Sequence, residues 1–133
     1  MAPATLVEEV RAVLDEIRLQ KGDFVIAMLY SSSEEGDNWN VIVSAPWADE
    51  MRWGDAVGFL IGELGKSLSK KNIPFISRVT VLDPQDPFVL GITSEFSTRS
   101  PGTTINISNS SFGGVRVPRG VLFYSQKPVA AGS

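Results

Sequence analysis

At 133 residues, 43% of them apolar and 20% charged, the chain is the size of one domain with its own core, and it contains neither Cys nor His. Those two absences remove disulfide scaffolds, zinc knuckles, thiol nucleophiles and every imidazole-based catalytic or metal-binding arrangement. A net charge of −3 with a pI near 4.9 argues against general nucleic-acid binding, which needs a basic surface to displace counterions.

The opening residues, Met1 to Thr5, lack the basic stretch and apolar core of a secretory signal, so a cytoplasmic location is expected. Thr5 and Glu8 have the T-x-x-E spacing of a capping box. Leu6, Val7, Val10, Val13, Leu14 and Ile17 recur at helical spacing, and Lys21 followed by Gly22 closes an amphipathic helix. Residues 23–30 are short and nearly all apolar, which predicts a strand buried on both faces. Its longest apolar run, Phe24 to Tyr30, is far below the roughly 18 residues of a membrane span. A polar loop from Ser31 to Asn38 leads to Trp39–Ala45, whose alternation predicts the second strand of an antiparallel hairpin, closed by Pro46.

A second helix is expected from about Asp49 to Lys70. Ala56, Val57, Leu60, Ile61, Leu64 and Leu68 form its apolar stripe, and Lys66, Lys70 and Lys71 gather at its negative end. Gly54, Gly58 and Gly62 recur every fourth residue, and Gly65 continues the same side. Each glycine in a helix interior costs about 0.8–1 kcal/mol relative to Ala, so the bare ridge implies close approach of another backbone. The expected neighbour is the chain's own sheet, with a subunit interface as the alternative.

Pro74 ends this region, Phe75–Leu82 reads as a third strand, and Asp86 with Pro87 starts a short helix through Phe96. Three short strands follow, at Thr103–Ser108, Phe112–Val117 and Val121–Ser125, with bends at Gly113-Gly114 and Arg119-Gly120. Residues 1–126 then form one α+β domain, with residues 127–133 as a tail. Its antiparallel or mixed sheet has about five strands, and its two main helices pack mainly on one face.

Motifs that carry chemistry are weak. Ser67-Leu68-Ser69-Lys70 matches S-x-x-K, but at an exposed helix end that lysine stays protonated and is a poor base. Asp83 and Asp86 follow a strand, where acids serve metal-dependent hydrolases, but helix capping explains them without chemistry and is the expected role. Glu34, Glu35 and Asp37 read as a solvated turn. No cofactor and no metal is assigned.

All 15 acids lie in residues 1–97, whereas residues 98–133 carry Arg99, Arg116, Arg119 and Lys127 without an acid. Within that basic third, Ser108, Asn109, Ser111, Gly113, Gly114, Arg116 and Arg119 offer hydroxyl, amide, backbone and guanidinium donors suited to a small anionic metabolite or nucleotide. Trp47 and Trp53 flank the start of the second helix, where an aromatic anchors a partner or staples the helix to its own core. The leading reading is a non-enzymatic interaction module whose partner is a protein or a second copy, contacted through Trp47, Trp53, Gly54, Gly58 and Gly62. The anion-binding segment 108–119 is the alternative, and Asp83 with Asp86 a third.

Overall fold

The structure is a computed structural model; it describes residues 3–33, 38–97 and 103–126, together with the backbone but not the side chain of Trp53. The expectations for Glu34, Glu35, Asp37, Arg99, Lys127 and the tail lie outside the described residues. Helix α1 covers Ala4–Lys21, strand β1 Ile26–Ser31 and β2 Trp39–Ser44. A short helix α2, Pro46–Asp49, precedes α3, Trp53–Ser67. After a 3-10 turn at Ile73–Phe75 come β3, Ile76–Val81, and α4, Pro87–Glu95. Strands β4, Ile105–Phe112, and β5, Val115–Ser125, complete the order.

The five strands form one mixed sheet ordered β3-β2-β1-β5-β4, antiparallel except for the parallel β2–β3 pair. A parallel pair needs a crossover, and α2 with α3 supplies it. The apolar run of β1 serves both faces by simple alternation. Ala27 and Leu29 join Leu6, Val10, Leu14 and Leu60 in the core beneath α1 and α3. Ile26 and Met28 join Phe88, Val89 and Ile92 beneath α4 on the opposite face. The fold is α+β, with the two long helices on one face.

Four local expectations are corrected. Helix α1 begins two residues early, because Pro3 rather than Thr5 occupies the N-cap and its carbonyl accepts from Val7 N at 3.1 Å. The Thr5–Glu8 capping box therefore does not form; Thr5 Oγ1 accepts from Asn72 Nδ2 instead. The second helix is split, since Pro46 starts a helical turn before Asp49 and the chain restarts at Trp53. Helix α3 ends at Ser67 because Leu68 is extended (ψ 141°), so only Lys66 of the three lysines lies in its last turn.

The C-terminal third holds two long strands rather than three short ones. Residues 109–111, left between two of the expected strands, lie within β4, and Gly113-Gly114 alone makes the hairpin turn with φ of 56° and 82°. Arg119-Gly120 does not bend the chain: Gly120 lies inside β5, where a Cβ would stand 3.0 Å from Met28 Cε. Gly91 in α4 has a comparable cause, because its missing Cβ would meet Gly113 N and Phe112 Cβ at 3.1 Å.

Candidate interaction surface on helix α3

Helix α3 turns Ala56, Leu60 and Leu64 into the core and leaves Gly54, Gly58, Gly62 and Gly65 exposed. Apart from the chain neighbours and the helix's own backbone, no heavy atom of the described residues lies within 4 Å of where a Cβ would sit on any of the four. The expectation that this ridge packs on the chain's own sheet is overturned. With apolar residues already meeting the sheet at helical spacing, the glycines fall on the opposite side. Asp55 in the first turn and Lys66 in the last flank the bare face.

Beside it, α3 and β3 enclose a groove of about 230 Å³ lined mainly by Ile61, Leu64, Leu68, Ile73, Ile76 and Val79, with Gly65 at its rim. Ile61 is 53% exposed and Ile73 41%, unusual for side chains of that size. The sequence places Ile61 in the apolar stripe without showing that it sits at the edge. Among the described residues strand β3 ends the sheet, and its outer backbone edge has no neighbouring strand.

The turn leaving α3 is tied down from α1. Glu9 Oε1 accepts from Ser69 N at 2.6 Å, and this backbone hydrogen bond, with help from Asn72, holds the Glu9 carboxyl below its ordinary pKa. The tie fixes the lower end of the groove relative to the α1–α3 core.

Trp47 is half-buried, edge-on to Phe24 at 5.9 Å and to Phe59 at 6.1 Å. That position staples α2 and α3 onto the core rather than presenting the indole to a partner. Trp53 opens α3, and its side chain lies outside the described residues. Trp39 is buried, as its place on β2 requires.

The segment proposed for anions is strung out rather than gathered. Ser108 stands opposite Arg119 in the ladder, and Ser111 opposite Arg116, with Gly113 and Gly114 at the tip. From Ser108 to Gly113 a strand spans roughly 17 Å, so these groups do not converge on one ligand atom. Arg116 donates to Asn109 Oδ1 at 3.3 Å. Arg119 donates to Ser33 O at 3.0 Å and Ser31 Oγ at 3.3 Å while its guanidinium lies 4.7 Å from the centre of the Trp39 ring. Both arginines are thus bound into the fold.

Asp83 and Asp86 act as local caps, accepting from Gln85 N at 2.7 Å and Phe88 N at 2.9 Å. Among the described residues no three acids gather into a metal-holding group, and no helix is long and apolar enough to cross a membrane. Ser67 and Lys70 sit exposed at the end of α3. Comparison with protein-family models, curated proteins and solved structures finds no match to the chain.

Proposed function

We propose that the protein is a non-enzymatic interaction module that self-associates through the solvent-facing glycine ridge of α3. The carrying observation is the exposure of four glycines that no contact within the described chain explains. Each lowers helix stability by about 0.8–1 kcal/mol relative to Ala, a cost that close approach of a second helix offsets. Spacing of four residues is the spacing of helix ridges and grooves, so a crossing helix fits between them.

A second copy suits the ridge because the flanking charges complement themselves. In an antiparallel crossing about a two-fold axis, Asp55 faces the partner subunit's Lys66 and Lys66 faces the partner subunit's Asp55. Sedimentation equilibrium across a range of concentrations tests the reading. A dimer that dissociates on dilution, and that Gly58→Lys abolishes with the circular dichroism spectrum unchanged, supports it. A monomer at every concentration overturns it.

A further inference from the structure

From the groove between α3 and β3 we infer a second use of this module: it docks an extended segment of alternating apolar and acidic residues, which adds to the free edge of β3 as a sixth strand. The inference rests on the reading of the protein as an interaction module, but it uses a surface beside the glycine ridge that meets the ridge only at Gly65.

Three observations carry it. Among the described residues strand β3 is the last in the sheet, with no strand on its outer side, and an edge of this kind can accept a further strand. The groove runs along that same strand, and an extended chain laid on the edge projects every second side chain toward α3. A cavity of roughly 150 Å³ holds one benzene-sized group, so a groove of about 230 Å³ takes one large or two small apolar side chains. Ile61 and Ile73 supply exposed apolar walls, and Gly65 leaves space between them.

Charge selects the occupant. Among the described residues that line the groove Arg78 is the single charged one, and it is exposed on β3. A carboxylate in the added strand is a favourable cross-strand neighbour for it, and a cation an unfavourable one. The same logic disfavours a second copy at this edge. Two β3 strands of six residues paired antiparallel about a two-fold axis set one Arg78 beside the other. The partner is therefore a different, acidic segment.

The test titrates the labelled protein, followed by amide shifts, with three capped peptides matching the six-residue length of β3. One alternates Val and Glu, one alternates Val and Lys, and one is the Val/Glu peptide N-methylated at alternate residues, which removes its edge-pairing donors. The expected result is saturable binding of the Val/Glu peptide with shifts centred on 61–68 and 73–81. The Val/Lys peptide should bind at least about tenfold more weakly, and the methylated peptide should not bind. Arg78→Glu should reverse the order of the two charged peptides, and this exposed substitution leaves the core intact.

No saturable shift with the Val/Glu peptide, or equal binding of its methylated form, overturns the inference. A concentration-dependent dimer broken by Ile61→Glu, with no peptide binding, overturns it in favour of a second copy in the groove. Sedimentation of the same samples reports on the glycine ridge separately, so failure of strand addition is distinguishable from failure of the interaction-module reading.

Discussion

At the turn between β4 and β5, Gly113 has φ +56°, and a Cβ placed on it would lie 2.4 Å from the backbone of Pro87 and 2.5 Å from Phe88 N. Its neighbour Gly114 has φ +82° with nothing within 4 Å. Both alanine variants incur left-handed strain of about 1–2 kcal/mol, but only Gly113→Ala also forces the turn off the start of α4. We expect Gly114→Ala to lower stability by about 1–2 kcal/mol and Gly113→Ala by roughly 2–4 kcal/mol, measured by urea unfolding. Equal costs would mean that the turn is not packed on α4. Glu9 gives a second test at this scale. Its carboxyl is held below the ordinary 4.5 by the Ser69 backbone N–H, so its stabilisation is full above that value and fades as pH falls through the lowered one. Glu9→Gln should therefore lower the unfolding temperature at neutral pH, with the gap from the parent protein closing in strong acid. A gap independent of pH would assign the loss to something other than the charge.

Helix α3 separates the two consequences of its glycines. Gly58 and Gly62 face open space within the chain, so Gly58→Ala and Gly62→Ala should each stabilise the monomer by about 0.8–1 kcal/mol. The same methyl groups obstruct a helix seated on the ridge, so the two variants should also weaken self-association in sedimentation. Stabilisation with association unchanged would remove the ridge from the interface. Elements of this kind are legible in sequence because periodicity and caps are local. The α1 stripe, the doubly buried β1 and the Asp86-Pro87 start of α4 all follow from neighbouring residues. Long-range pairing is not local, and there the reading fails. The Asn- and Ser-rich run from Ser108 has turn composition, yet long-range pairing decides it: β5 and the Gly113-Gly114 turn draw it into β4. The glycine spacing is visible, but whether it faces inward or outward depends on where α3 lies over the sheet. For the groove, the sequence supplies Ile61 and Ile73 without the edge position of β3 that brings them together.

Across the whole molecule, α1 must be held against a sheet whose other face is covered by α4, and polar ties at its surface complement the apolar core. Arg11 Nη2 donates to Thr103 O at 2.8 Å, tying α1 to the segment before β4, and the Tyr124 hydroxyl donates to Asp15 Oδ1, joining α1 to β5. Burial, reinforced by the Asp15 carboxylate, pushes the Tyr124 pKa from 10 up to about 12. The folded protein thus holds this proton more tightly than the unfolded chain does. The resulting stability is complete below pH 10 and is lost as pH rises toward 12. Ionising the hydroxyl leaves two negative charges facing each other across the α1–β5 contact, so the loss acts on the packing of the whole helix. Tyr124→Phe keeps the ring against Phe24 but removes the titrating group. Unfolding free energies of the parent and the variant should therefore converge across that alkaline window, with the parent more stable below it. A constant offset between the two curves would show that the hydroxyl contributes through neutral hydrogen bonding alone and that the Asp15 contact does not couple α1 docking to pH.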